Sequence, residues 1–99
     1  MLSEVADAVG GRLHGNDATV IVVETDSRRV GAGALFVALR GARSDGHDFV
    51  NEALARGAAA AIVQGRGSGG TVIEVPDTGR ALLDLAADER RRKIGRAHV

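Results

Sequence analysis

The sequence predicts an α/β domain, a small mixed or mostly parallel sheet flanked by helices. Three observations carry that expectation. Short apolar, β-branched runs alternate with stretches of helical periodicity. The runs are apolar at nearly every position, as strands covered on both faces are. The connections are short and rich in Gly, Asp and Asn.

The elements follow in order. Ser3 can cap a helix carrying Val5, Ala8 and Val9 at spacing i, i+3, i+4, which Gly10-Gly11 would end. "RLHG" is short, and could be a strand before the Asn16-Asp17 turn. "TVIVVE" (Thr19–Glu24) reads as a strand covered on both faces, broken by the turn chemistry of Asp26-Ser27. "ALFVAL" (Ala34–Leu39) reads as a second buried strand, leaving at Arg40-Gly41. From Asp48 to Arg56 the apolar positions Phe49, Val50, Ala53 and Leu54 make one helical stripe, and Gly57 stands where a left-handed C′ residue belongs. "AAAIV" and "TVIEV" are two more strands. Pro76-Asp77-Thr78 opens a last helix with Ala81, Leu82, Leu85 and Ala86 on one face. The expected order is α, β, β, α, β, β, α, without internal repeats.

Composition narrows the function. A chain of 99 residues holds one domain or a piece of one. Thirteen basic and thirteen acidic side chains cancel, so no overall positive field recruits nucleic acid or an anionic membrane. With no Tyr or Trp and only Phe36 and Phe49, no aromatic platform for stacking bases is expected. The absence of cysteine excludes disulfides and thiolate metal sites and suits a reducing compartment. "MLSEVADAVG" lacks the features of a signal peptide, and "GAAAAIV" is too short to span a bilayer. A cytoplasmic location without membrane insertion is expected.

Residues 1–92 are read as the domain. "RRRKIGRAHV" is polar and aperiodic, and Ile94–Val99 is also what one reading frame of a common sequencing-library adaptor would encode. Residues 93–99 are therefore expected to be a non-native tail, with a disordered basic tail as the other reading.

Among short motifs, "GRGSGG" (Gly65–Gly70) matches G-x-G-x-x-G, but a strand follows it where a dinucleotide site needs a helix N-terminus. A flexible loop is the better reading, and the chain has no P-loop. His14, His47 and His98 lack metal-ligand spacing. His47, in "DGHDF", is a candidate ligand or base, weighed against a role in orienting its loop. "TDSR" says more. Asp26 can fold back as an Asx-turn and expose the Ser27 hydroxyl at a strand end, where open α/β sheets bind ligands. With "RGARSDGH" beside it, the cations Arg28, Arg40 and Arg43 would complete a cradle for a phosphorylated ligand. Two ordinary polar loops would look the same by pattern alone.

The run "TDSRRV…G.LFVALRG…DGHDFV..AL.RGAAAAIV", with "LSEVADAVGGRLHG" before it and "VIEVPDTGRALLDLA" after it, resembles the N-terminal domain of the Mur ligases of peptidoglycan synthesis. The likeness extends to about residue 90. It implies that this domain holds the UDP end of a UDP-MurNAc-peptide, while a separate P-loop domain binds ATP and Mg²⁺ and a third helps bind the incoming amine. In the family's chemistry ATP phosphorylates the substrate carboxylate, and the amine displaces phosphate through a tetrahedral intermediate. The opening "LSEVADAVGGRL" is most similar to the member that adds D-alanyl-D-alanine to the tripeptide. The runner-up is the sister adding the third residue, meso-diaminopimelate or lysine. A stand-alone nucleotide-sugar-binding module is the reading outside catalysis. Carried over by position, Thr25 and Ser27 match uridine-side contacts, and Ala42, Arg43 and Ser44 match a substrate loop; Arg28 and His47 join them as candidate UDP-binding residues. The family's usual Pro-Gly-Asp before "LFVAL" is here Ala32-Gly33-Ala34, which loosens that turn. The chain itself is expected to bind no cofactor or metal and to be monomeric.

Because no phosphate-cradling loop is present, the chain alone is predicted to hydrolyse no ATP and ligate nothing. Specific ATP turnover by the pure protein would contradict this reading.

Overall fold

The computed structural model describes residues 2–40, 45–65 and 70–92, with side chains through residue 87. Strands β1 (Arg12–His14), β2 (Val22–Glu24), β3 (Ala34–Val37), β4 (Ala60–Val63) and β5 (Val72–Glu74) form one sheet in the order β1-β5-β4-β3-β2. Pairs β2–β3, β3–β4 and β4–β5 are parallel, and β1 lies antiparallel to β5 at one edge. The sheet is thus mixed and mostly parallel, as expected, and "RLHG" supplies its antiparallel member.

Every residue of β3 and β4 is buried. Alternation along the strands divides their side chains between two cores. Leu35, Val37, Ala60, Ile62 and Ile73 face helices α1 (Leu2–Ala8) and α3 (Thr78–Arg92), where they meet Leu2, Val5, Val9 and Ala81. Ala34, Phe36, Ala61, Val63 and Val72 face α2 (Val50–Ala55), meeting Val30, Val50 and Ala53. The architecture is a sheet between helices, with a separate apolar layer on each side.

Four local expectations change. β2 is shorter than "TVIVVE" suggested and lies at the sheet edge, so Ile21 is 63% and Val22 37% exposed rather than covered. An apolar run reports hydrophobicity, and the position of its strand in the sheet decides what covers it. Ser3 lies inside α1 rather than before it. Asp17, from the next turn, accepts hydrogen bonds from the Ser3 backbone N–H at 3.2 Å and its hydroxyl at 2.8 Å, and the Leu2 N–H donates to Ala18 at 3.0 Å. A remote carboxylate therefore takes the place of a local cap. Gly46–Phe49 form a 3-10 turn ahead of α2, which removes Phe49 from the buried stripe and leaves it 38% exposed. Finally, α3 continues to Arg92, through the first three residues of the stretch "RRRKIGRAHV" that looked aperiodic; Asp77 Oδ1 accepts from the N–H groups of Gly79 and Arg80 at its start. Residues 93–99 lie outside the described residues.

Gly57 has the positive φ, +106°, that ending α2 requires. No helix among the described residues is long and apolar enough to cross a membrane.

The Ser3 hydrogen bond and the helix N–H groups hold the Asp17 carboxyl below its ordinary value of 3.8. Its contribution to stability is therefore complete above that value and is lost as the pH falls through the lowered one. Asp17→Asn should lower the melting temperature by a few degrees at pH 7, a difference that disappears in acid as the native carboxylate protonates. Equal melting of both proteins at neutral pH would contradict the assigned cap.

Candidate functional site

Parallel pairing brings the carboxyl ends of β2, β3, β4 and β5 to one edge of the sheet, and among the described residues the loops that leave them line clefts, three of which matter here. The first, of ≈ 600 Å³, is walled by Thr25, Asp26, Ser27 and Arg28 beyond β2, Phe36 and Leu39 from β3 and its exit, Gly46 and Phe49 on the 3-10 turn, and Glu52 of α2. The expected Asx-turn is present. Asp26 Oδ1 accepts from the Arg28 backbone N–H at 3.0 Å and caps a 3-10 turn over Ser27–Arg29. Ser27 is more enclosed than the turn alone suggested: only 8% of its surface is accessible, and that surface borders the cleft.

Asp26 also receives the Arg28 guanidinium through Nε at 3.1 Å and Nη2 at 3.0 Å. These bonds, with the Arg28 backbone N–H, hold the Asp26 carboxyl below its ordinary value. Arg28 thus closes its own turn with a two-pronged pair, and its side chain is 81% exposed. Arg40 does not converge on it. Arg40 lies 3.5 Å from Asp45 and lines the second cleft, while Ala42, Arg43 and Ser44 lie outside the described residues.

His47 lies on the same 3-10 turn as Gly46 and Phe49 but faces the second cleft, of ≈ 230 Å³, with Arg40, Asp45, Asn51 and Gln64. Its Nδ1 is 2.6 Å from Asp45 Oδ1, and its Nε2 accepts the Gln64 backbone N–H at 2.8 Å. The His47 backbone and ring hydrogen bonds hold the Asp45 carboxyl below its ordinary value. The structure therefore brings Thr25, Ser27 and Arg28 together and sets His47 on the far side of the shared wall. Gly41, Ala42, Arg43 and Ser44, which connect Arg40 to Asp45, are not described. Most of "GRGSGG" is likewise outside the described residues. No group of acidic and histidine side chains that could hold a metal occurs among the described residues.

The aromatic residues were missed. Both phenylalanines of the chain border the first cleft, Phe36 as buried floor and Phe49 with an exposed ring. Their closeness to "TDSR" and "DGH" was the available signal, overlooked because Phe49 fits a helical stripe. Gln64, a polar residue ending an all-apolar strand run, was the other. The cleft combines an apolar ring surface, a hydroxyl pair at Thr25 and Ser27, and carboxylates at Asp26 and Glu52. That combination suits a ligand with a flat ring and several hydroxyl groups.

Comparison with known proteins places these features. The sequence profile described as "Mur ligase family, catalytic domain" matches residues 19–90. A UDP-N-acetylmuramoyl-L-alanyl-D-glutamate–2,6-diaminopimelate ligase of Geobacillus kaustophilus is 42% identical over 87 residues, 87% of this chain and 18% of the relative. A UDP-N-acetylmuramoyl-tripeptide–D-alanyl-D-alanine ligase of Escherichia coli is 42% identical over 96 residues, 92% of this chain and 20% of the relative. The crystal structure of MurF from Acinetobacter baumannii superposes with a TM-score of 0.82 at 31% identity, covering 91% of this chain and 21% of that one. The chain spans about a fifth of the length of these relatives. With the profile running through the turn beyond β2, the 3-10 turn and α2, and the five-stranded sheet matching in space, the chain belongs to the Mur ligase family and has the fold of its N-terminal domain.

Proposed function

We propose that this domain holds the uridine end of a UDP-MurNAc-peptide in an ATP-dependent ligase that adds D-alanyl-D-alanine to the tripeptide. The observation that carries the reading is the first cleft, which joins an exposed aromatic ring to the hydroxyls of Thr25 and Ser27 at the carboxyl ends of parallel strands. A pyrimidine buries a face on Phe49, while ribose and base-edge groups meet hydroxyls and the carboxylates of Asp26 and Glu52. Among the described residues the cleft supplies little unpaired positive charge, since Arg28 is bonded to Asp26 and Arg56 lies 3.3 Å from Glu52. The reading therefore gives this cleft the nucleoside, and gives the diphosphate to the segment of Ala42, Arg43 and Ser44.

Holding UDP far from the reacting carboxylate serves catalysis by orientation. Binding energy at the remote group fixes where the peptide end lies. ATP and Mg²⁺ belong, in this proposal, to the part of the ligase that this chain does not include.

The choice of D-alanyl-D-alanine is supported by the MurF ligases among the solved structures that superpose well. The diaminopimelate-adding ligase is the second reading, favoured by the Geobacillus relative at equal identity. A full-length ligase carrying this domain, assayed with each amine, separates them.

Ser27→Ala should weaken UDP binding by roughly 0.5–1.5 kcal/mol, the value of one neutral hydrogen bond, and leave the fold intact. Asp26→Ala removes the acceptor that closes the turn, so it should lower the melting temperature as well as the affinity. In the full-length enzyme Ser27→Ala should act on the apparent affinity for the UDP-substrate more than on turnover. Unchanged UDP binding by a folded Ser27→Ala protein would place the uridine elsewhere.

A further inference from the structure

We infer that His47 is a positioning residue for the first cleft, and that its protonation weakens nucleotide binding although the ring faces away from the ligand. The inference rests on the reading of that cleft as a uridine site. It starts from the 3-10 turn Gly46–Phe49, whose Gly46 and Phe49 form one wall of the cleft while His47 faces the other side.

The turn is fixed at two points. At its start, the Gly46 N–H donates to the Leu39 carbonyl at 2.7 Å, and a Cβ at Gly46 would stand 2.7 Å from the Leu39 nitrogen. That close approach leaves no room for a side chain. The second point is the His47 ring. A backbone N–H can only donate, so the 2.8 Å contact with Gln64 requires a lone pair on Nε2. The ring proton then sits on Nδ1, donating to Asp45 Oδ1 at 2.6 Å. The clamp exists in one tautomer of the neutral ring.

Gln64 extends it. Its side-chain Oε1 accepts from the backbone N–H of Thr78 at 3.1 Å and the Thr78 hydroxyl at 3.3 Å, at the first turn of α3. The wall of the cleft is thereby tied through His47 to the end of β4 and the start of α3. Thr78 is 1% exposed, so this junction is an internal one.

A second proton converts Nε2 into a donor facing another donor, and the Gln64 bond is lost. Asp45 still holds the Nδ1 side. Among the described residues, the charged groups lining the second cleft are Asp45, just before the same turn, and Arg40 beyond the end of β3. There α2 presents Val50 and Asn51, and β4 with its exit presents Val63, Gln64 and Gly65, none of which titrates. Release from Gln64 frees the turn that carries Phe49, so the aromatic wall moves relative to Thr25 and Ser27.

The test compares UDP affinity of the wild-type chain and His47→Gln by calorimetry at about pH 8 and about pH 5.5, a span over which histidine takes up a proton. Gln keeps a donor and an acceptor but does not titrate, and any protonation of UDP itself is common to both proteins. The wild type should lose roughly two- to tenfold more affinity on acidification than the variant, as one lost hydrogen bond implies. Equal pH dependence overturns the proposal. The same titration of the ligand-free wild type, followed by amide and imidazole NMR signals, decides the matter even if the variant is unstable. Gln64, Gly46 and Phe49 should shift in one step with the His47 ring; Gly46 and Phe49 amides that stay still while His47 titrates overturn the clamp. If UDP binds neither protein at either pH, the uridine reading fails, and the amide signals alone judge the clamp.

Discussion

The parallel pairing of β3 with β2 and β4, buried on both faces, is the constraint on which the rest depends. Parallel neighbours cannot be joined by a hairpin, so each connection must return the chain to the opposite edge of the sheet. Between β3 and β4 that return is α2, which covers one face; α1 and α3 cover the other. The pairing also sends every loop that follows a parallel strand to a single edge. Thr25–Arg28, Leu39–Arg40 and Gln64–Gly65 are neighbours for that reason, although far apart in sequence.

Outside the strands, short polar side chains do the work that regular hydrogen bonding does inside the sheet. Asp17, Asp26, Asp45 and Asp77 each accept from backbone N–H groups that begin a helix or a 3-10 turn. Such carboxylates satisfy donors the helical pattern leaves open. Two of the turns, those of Asp26 and Asp45, border the first cleft or its wall. The conformation of the site is therefore set by side chains that need not themselves meet a ligand. This is why Arg28 and His47, attractive as ligand contacts by residue type, are found bonded to Asp26 and Asp45.

Much of the fold was legible because β3 and β4 are hydrophobic throughout, a pattern that strands buried on both faces require. The Asx-turn at Asp26 was legible for a similar reason, since its hydrogen bond spans two residues. What local pattern could not show was placement. β2 has the composition of an interior strand yet stands at an edge, and nothing within Thr19–Glu24 reports which strands lie beside it. Asp17 caps α1 across fourteen residues of sequence, a contact no local motif specifies. Phe49 satisfies the helical period, and only the 3-10 turn before α2 frees it for the cleft. The partnership of His47 with Gln64 spans seventeen residues and depends on the β3–β4 pairing.

The central claim is that the cleft bounded by Thr25–Arg28 and Gly46–Phe49 receives uridine. The most direct measurement is a two-dimensional ¹⁵N NMR titration of the chain with UDP at neutral pH. The account predicts shifts concentrated at Thr25, Asp26, Ser27, Arg28, Gly46 and Phe49, with Gly11, Arg12, Glu74 and Val75 on the third cleft unaffected. Shifts confined to that third cleft, or none at saturating UDP, would contradict it.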